Sequence, residues 1–220
     1  MNLKKLAADK AVELIENGMT VGLGTGSTAY WAIHGIADRM KEGLSIRAVA
    51  TSEASDKLAR ELGIPIVPFH EVDVIDITID GADETDSQMN LIKGGGGALL
   101  REKIVAASSR QLIIIVDESK VVDRLGKFPL PVEVVPFAVE LTLKKLAKLG
   151  CEPKLRLTED GSLFKTDNGN YTADCSFGSI SDPAGLHDEL NAIPGVVDNG
   201  LFIRMASRVI VGSEKGISTL

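Results

Sequence analysis

Met19-Thr20-Val21-Gly22-Leu23-Gly24-Thr25-Gly26-Ser27-Thr28-Ala29 begins as a short apolar run and passes through glycines into hydroxyl residues. Beyond it Ala29, Trp31, Ala32, Ile33 and Ile36 recur at helical spacing. Strand, glycine turn and helix in that order set open backbone N–H groups and hydroxyls at a helix start, where the helix dipole favours an anion. A phosphate fits there. The same residues satisfy the G-x-G-x-x-A form of the dinucleotide fingerprint, with Glu53 near the place where a ribose-binding acid is sought. A P-loop is excluded, because no Lys follows the final glycine at the required position. A plain tight turn would need the same glycines for its backbone alone.

The chain around this turn alternates in type. Leu3, Leu6, Ala7, Ala11, Leu14 and Ile15 form one helical stripe over residues 3–15, and Gly18 follows where a helix end wants a left-handed residue. Residues 46–50 read as a strand; Ser52 is an N-cap, and Ala54, Leu58, Ala59 and Leu62 are the apolar face of a helix stopped by Gly63. Residues 64–69 and 74–79 read as two further strands. The run at 112–116 is apolar throughout, as suits a parallel strand covered on both faces. Strands alternating with helices predict an α/β fold with a doubly wound, mostly parallel Rossmann-like sheet.

From about Phe128 the texture changes, with Pro129, Pro131 and Pro136 ahead of a helix that carries Val139, Leu143 and Leu146 and closes at Gly150. Residues 151–157 and 170–177 read as strands around a polar turn. A last helix starts at Asp182-Pro183 and stops at Pro194-Gly195. Strand, helix, strand, strand, helix, strand is the split βαβ pattern of a ferredoxin-like α+β domain. Residues 208–212 form a strand suited to rejoining the first sheet. The expected division is therefore 1–127 with 206–220 as the Rossmann-like catalytic domain and 128–205 as a smaller inserted domain.

Composition limits the function. A chain of 220 residues has room for one enzyme-sized unit of one or two domains, and 25% charged with 44% hydrophobic residues matches an ordinary globular protein. No run approaches the ~18 apolar residues of a membrane span. The start at Met1-Asn2-Leu3-Lys4-Lys5-Leu6 lacks the apolar core and small-residue cleavage site of a signal peptide, so the expected compartment is the cytoplasm. A net charge of −7 argues against nucleic acid as a partner. Cys151 and Cys175 are too few and too far apart in sequence for a disulfide framework or a zinc site, and read as small buried thiols. His34, His70 and His187 fall in no ligand or triad pattern, and no metal site is expected.

The chemistry concentrates in residues 79–103. In Asp80-Gly81-Ala82-Asp83-Glu84 three acids stand at the carboxyl end of a predicted strand, the edge at which open α/β sheets bind ligands. Lys93-Gly94-Gly95-Gly96-Gly97 then sets an ammonium beside unobstructed amides, a combination suited to a developing oxyanion. Counting about 100° per residue from Ala98, Glu102 shares a stripe with Ala98, Leu99, Val105 and Ala106, while Arg101 points elsewhere. A carboxylate on an apolar face is costly unless paired or put to use. Lys120, at the carboxyl end of the 112–116 strand, is placed to meet a phosphate or a sugar oxygen. Each of these has a bland alternative in a solvated turn acid or a surface lysine.

These residues, together with Arg101-Glu102-Lys103, Gly126-Lys127-Phe128-Pro129-Leu130-Pro131-Val132-Glu133, Asn191-Ala192-Ile193-Pro194-Gly195-Val196-Val197 and Gly200-Leu201-Phe202, resemble the ribose-5-phosphate isomerases of type A over nearly the whole chain. The resemblance implies an aldose–ketose isomerase without a cofactor, interconverting D-ribose 5-phosphate and D-ribulose 5-phosphate in the non-oxidative pentose phosphate pathway. It implies Glu102 as the base that moves a proton between C1 and C2. Asp80 and Asp83 would assist ring opening and hydroxyl proton transfer, and Lys93 with Gly94, Gly95 and Gly96 would stabilise an enediolate. Thr25, Gly26, Ser27, Thr28, Gly81, Ala82 and Lys120 would contact substrate. Members of the family are commonly dimers or tetramers, which makes a homodimer the expectation. Gly97 and Leu100 depart from the pattern, standing where Ala and Thr are expected.

Two readings compete with this one. The Gly24-Thr25-Gly26 turn admits an NAD-dependent oxidoreductase. A phosphosugar sensor without catalysis would normally carry a DNA-binding segment, for which the first helix and the strand after it leave no room.

Overall fold

The computed structural model describes residues 2–220; Met1, the first residue of the expected amphipathic start, lies outside them. In chain order the elements are α1 (Leu3–Val12), β1 (Thr20–Leu23), α2 (Ala29–Lys41), β2 (Arg47–Ala50), α3 (Glu53–Glu61), β3 (Ile77–Gly81), β4 (Glu84–Thr85), β5 (Leu91–Ile92), α4 (Leu99–Ala107) and β6 (Leu112–Asp117). They continue as β7 (Leu130–Val134), α5 (Val139–Ala147), β8 (Glu152–Leu155), β9 (Tyr171–Ser176), α6 (Pro183–Asn191), β10 (Val196–Asn199), β11 (Leu201–Phe202), β12 (Arg208–Ser213) and β13 (Gly216–Thr219). The chain divides into two compact units. One takes the chain up to Ala82, Arg101–Val121 and Met205–Leu220; the other takes Asp83–Leu100 and Val122–Arg204.

The first unit is built on a six-stranded sheet in the order β13-β12-β6-β3-β1-β2. All its pairings are parallel except that of β13, which runs antiparallel along the edge beside β12. Counting the parallel strands alone gives the order 2-1-3-4-5, so the direction of winding reverses between β1 and β3. At such a switch point the carboxyl ends of the two strands leave a crevice, and here those ends lead into Gly24 and carry Asp80. Small residues bring the helices close. Ala7, Ala8 and Ala11 are fully buried on α1, and a Cβ at Gly212 of β12 would come within 2.1 Å of the Leu3 carbonyl. On β1, a Cβ at Gly22 would lie 1.9 Å from Thr78 Oγ1 and 2.9 Å from Val105 Cγ1, so glycine there lets α4 close on the sheet. Caps hold the helix starts: Asn2 Oδ1 accepts from Lys5 N, and Ser52 Oγ accepts from Ser55 N as expected.

Three sequence expectations change in this unit. Residues 64–69 make only a single bridge from Ala48 to Ile66 before a 3₁₀ turn at Phe69–Glu71, because Pro65 and Pro68 remove N–H groups that a ladder needs. β3 opens at Ile77 rather than at Val74: Val74 is exposed, and the Asp76 carboxylate turns aside to accept from Thr20 N and Arg110 Nη1. On α3 the buried position is Ser55 rather than Ala54, since the Ser55 hydroxyl donates to the Gly24 carbonyl at 2.7 Å.

The second unit carries a four-stranded antiparallel sheet in the order β10-β7-β9-β8. With α5 after β7 and α6 between β9 and β10, this is the split βαβ pattern. Asp182 caps α6 by accepting from Gly185 N, and Leu190 and Leu146 enter the core with Val132, Val134 and Ala173. The Cys151 thiol, just before β8, donates to the Leu146 carbonyl at 3.3 Å and the Cys175 thiol of β9 to the Ala173 carbonyl at 3.8 Å; the neighbouring Cys151, then burial, pushes the Cys175 thiol upward.

A three-stranded sheet, β11-β5-β4, has no counterpart in the sequence reading, because strands of two residues leave no periodicity to read. Its pairings draw Asp83–Leu100 into the second unit, where the sequence expectation had set all of 1–127 with the first. Glu84 anchors this arrangement. It is 3% exposed, with Oε2 accepting from Gly126 N at 2.7 Å and Oε1 from Phe128 N at 2.6 Å. Hydrogen bonds to a charged acceptor contribute about 1.5–3 kcal/mol each. Replacing Glu84 by Ala should therefore lower unfolding stability by roughly 2–4 kcal/mol in urea titrations; a change under about 1 kcal/mol would show that the two N–H groups find other partners.

Candidate active site

At the switch point of the first unit the turn after β1 wraps onto the end of β3. Asp80, 1% exposed, accepts through Oδ1 from Thr25 N at 3.0 Å and from Gly81 N at 2.8 Å. The approach is so close that a Cβ at Gly24 would lie 2.2 Å from Asp80 Oδ1 and 2.6 Å from Asp80 Cα. Gly26 has φ of +102°, which turns the chain into α2 and leaves Gly26 and Ser27 exposed. Beneath them lies a hydroxyl cluster. Thr25 Oγ1 bonds Thr51 Oγ1 and Ser52 Oγ at 2.8 Å each, and Thr51 Oγ1 donates to the Leu23 carbonyl at 3.0 Å. The predicted loop residues Thr25, Gly26, Ser27 and Thr28 are thus brought together with Asp80 and Gly81, Thr28 packing where a Cβ on Gly81 would meet it at 3.8 Å.

Lys4 belongs with them and was missed by the sequence reading. Its Nζ donates to Ser27 Oγ at 2.9 Å, delivering positive charge to the turn from the first turn of α1. The two residues are far apart in the chain, and no spacing rule connects them. Lys120 sits half-buried at the end of the 3₁₀ turn Glu118–Lys120 that follows β6, with Asp117 Oδ1 accepting from Ser119 N to shape that turn.

Glu102 lies on α4, 3% exposed, and the expected stripe of Ala98, Leu99, Val105 and Ala106 is buried with it. Ser109, after the helix, bonds Thr78 Oγ1 at 2.7 Å, and Val105 lies against Gly22. One turn before Val105, Glu102 therefore stands on the part of α4 nearest the strands' carboxyl ends. Arg101 points away from this stripe, with Nη2 3.8 Å from Glu53 Oε1.

The remaining predicted residues belong to the second unit. Asp83 is half-buried, with Oδ2 accepting from Gly95 N at 2.7 Å. Lys93, 2% exposed, follows β5; its backbone N–H donates to the Gly200 carbonyl, and its Nζ lies 5.4 Å from the Phe202 ring centroid. Gly94 and Gly97 both take positive φ, while Gly95 and Gly96 are exposed. The departure at Gly97 has a local reason, for a Cβ there would lie 2.3 Å from the Phe164 ring. Ala82 is half-buried and ends the first unit just before Asp83. All three acids of the 80–84 stretch accept backbone N–H groups, and Glu84 is the one that uses both of its carboxylate oxygens to do so, on Gly126 and Phe128.

The model of the family described as ribose 5-phosphate isomerase A (phosphoriboisomerase A) matches residues 47–216. The chain belongs to that family. A ribose-5-phosphate isomerase A of Bacillus thuringiensis subsp. konkukian (strain 97-27) is 56% identical over 221 residues, the match covering 100% of each chain. The ribose 5-phosphate isomerase A of Methanocaldococcus jannaschii superposes with a TM-score of 0.95 at 43% identity, covering 100% of this chain and 98% of that one. A D-ribose-5-phosphate isomerase solved in complex with phospho-erythronic acid superposes with a TM-score of 0.97 at 42% identity, covering 100% and 99%. The chain is an isomerase of ribose 5-phosphate, and the fold read from the sequence, a mostly parallel central sheet with antiparallel additions, is that of its relatives.

The fit of Gly24 against Asp80 makes a sharp test. Gly24→Ala should push the Asp80 backbone away from the turn. A displacement on the order of 1 Å at a reacting geometry can lower turnover by roughly 100-fold, and overpacking costs about 1–3 kcal/mol of stability. Turnover and thermal melts measured together check it; a variant with wild-type values in both would refute the contact.

Proposed function

We propose that the isomerisation proceeds through an enediolate, with Glu102 as the base that carries one proton between C1 and C2 of the open-chain sugar. The observation that carries this is the burial of Glu102 on an otherwise apolar helix stripe. A carboxylate withdrawn from water is poorly solvated and is tolerated where it serves chemistry. Removing the C2 proton of the aldose leaves a negative charge shared with the C1 oxygen; passing the O2 hydroxyl proton to O1 and returning the carbon-bound proton at C1 then gives the ketose. The carbon framework's oxidation state is unchanged overall, so the reaction needs no external oxidant or reductant.

The other roles follow from the chemistry of each group. Lys93 and the N–H groups of Gly94 and Gly96 stabilise the enediolate oxygens, while the Gly95 N–H holds Asp83 beside them. Asp80 and Asp83 handle ring opening and the hydroxyl protons. The turn at Thr25-Gly26-Ser27-Thr28, backed by Lys4 and Lys120, takes the phosphate, since open N–H groups and ammonium groups at a helix start suit a dianion. Gly81 and Ala82 line the substrate's path beside Asp80. The complex of one relative with phospho-erythronic acid supports this reading, because a phosphorylated sugar acid presents both a phosphate and a planar pair of oxygens. We place the reaction in the non-oxidative pentose phosphate pathway of the cytoplasm and expect a homodimer. Support for self-association comes from Phe137, 88% exposed, and Leu141, 59% exposed, at the start of α5.

If the phosphate supplies much of the binding energy, free ribose should be a poor substrate. Comparable kcat/KM values for ribose and its 5-phosphate would remove the anchor.

Glu102→Gln keeps the shape of the side chain and removes its basicity. General-base catalysis contributes 10²- to 10⁴-fold, so turnover should fall by at least ~100-fold while ligand affinity changes by less than about tenfold. Solvent isotope exchange discriminates further: in deuterated water the wild type should incorporate label at the carbon next to the carbonyl, and the folded variant should scarcely do so. Normal exchange in Glu102→Gln would pass the role of base to Asp80 or Asp83.

A further inference from the structure

Four consecutive glycines, Gly94-Gly95-Gly96-Gly97, have no side chains to fix their peptide planes, and free glycine visits more backbone conformations than any other residue. Within the run Gly97 N donates to the Gly94 carbonyl at 2.9 Å, and the rest of the order has to come from outside it. Arg156, from the segment just after β8, provides it. Its Nη1 donates to the Gly94 carbonyl at 3.0 Å and to the Gly95 carbonyl at 2.9 Å. The rest of the guanidinium is held by Asp174 of β9, with Nε donating to Oδ2 at 2.9 Å and Nη2 to Oδ1 at 2.5 Å. The Arg156 side chain is 16% exposed and its Cζ lies 5.7 Å from the Phe164 ring centroid, the same ring that fills the space beside Gly97.

A trans peptide is planar, with its carbonyl and N–H pointing in opposite directions. Fixing the Gly94 carbonyl therefore aims the Gly95 N–H, and fixing the Gly95 carbonyl aims the Gly96 N–H. The first of these N–H groups is the one that Asp83 Oδ2 accepts at 2.7 Å. We propose that Arg156, oriented by Asp174, is a positioning residue for the isomerisation: it sets the glycine-run N–H groups, and through Gly95 the Asp83 carboxylate, in their working orientation. It touches no substrate in this role. Only a planar fork holds two carbonyls and a bidentate carboxylate at once, so lysine is a poor replacement.

The inference rests on the assignment of the glycine run and Asp83 to catalysis. Arg156→Ala, Arg156→Lys and Asp174→Asn should each fold, with circular dichroism and melting temperature as the check. Turnover of ribose 5-phosphate should drop at least ~10-fold in Arg156→Ala and less in Asp174→Asn, while KM stays within about threefold of wild type. Added guanidinium salt should restore part of the lost kcat in Arg156→Ala and none in Glu102→Gln. Hydrogen exchange in the peptide covering residues 91–99 should quicken. Wild-type kcat in a folded Arg156→Ala protein overturns the proposal. So does a loss in which kcat, KM and melting temperature fall together without guanidinium rescue, since that is the signature of a merely structural arginine. If Arg156→Ala does not fold, Arg156→Lys is judged by the same kcat, KM and exchange criteria. A folded Asp83→Asn protein with full activity would instead remove Asp83 from catalysis, a result distinct from failure of Arg156.

Discussion

No side chain can stand at position 24. The carboxylate and Cα of Asp80 occupy the space that a Cβ would need, and the turn after β1 lies directly on the end of β3 as a result. Much of the first unit depends on that contact. It fixes where the chain enters α2, it aims Thr25 N at Asp80, and it sets the Thr25 hydroxyl against those of Thr51 and Ser52, between β2 and α3. Ser55 then reaches back to the Gly24 carbonyl, so α3 is tied to the same turn. The reversal of strand order between β1 and β3 opens a crevice, and the absence of one methyl group lets both walls meet at its base.

The two aspartates of the Asp80-Gly81-Ala82-Asp83 stretch show the same device in two settings. Each accepts backbone N–H groups from a glycine-containing loop, Asp80 from Thr25 and Gly81, Asp83 from Gly95. A carboxylate held in this way cannot swing on its own side-chain torsions, and its orientation follows the loop's. The cost is that the loop must itself be held, because glycine brings no packing of its own. In the first unit the hydroxyl cluster and the Ser55 bond to the Gly24 carbonyl supply the hold. In the second it is the Arg156 fork, braced by Asp174. The two solutions differ because Gly24 abuts a strand, whereas Gly95 and Gly96 are exposed and have no neighbouring ladder.

How much of this could be read from the sequence depended on the range of each interaction. The six-stranded sheet was legible because its strands are separated by helices with clear periodicity, and the Glu102 stripe was legible because a helix carries its own phase. The split βαβ domain showed through the order of its elements. What escaped were features decided across the chain. The strand at 64–69 yielded to two prolines, Asp83–Leu100 moved to the second unit because β5 found β11 more than a hundred residues later, and Lys4 met Ser27 through folding alone. Asp80 and Glu84 looked alike as turn acids. One faces a glycine turn and the other two amides from residues 126 and 128, a difference that no local pattern records.

Lys93 shows why the second unit joins a rigid strand to a flexible run at one point. Its backbone is fixed by the Gly200 carbonyl and its ammonium lies over the Phe202 ring, both supplied by the strand end that pairs with β5. An ammonium withdrawn from water acts more strongly on a nearby charge than a solvated one, and an aromatic face offsets part of its desolvation. The next residue, Gly94, is already in the left-handed region that side chains avoid. A longer link would let the charge and the amides drift apart; a residue with a Cβ at position 94 would meet Leu99 at 2.8 Å. Placing the glycines immediately after the lysine couples one fixed charge to N–H groups that take their direction from elsewhere, so the strand sets the charge and the arginine fork sets the amides.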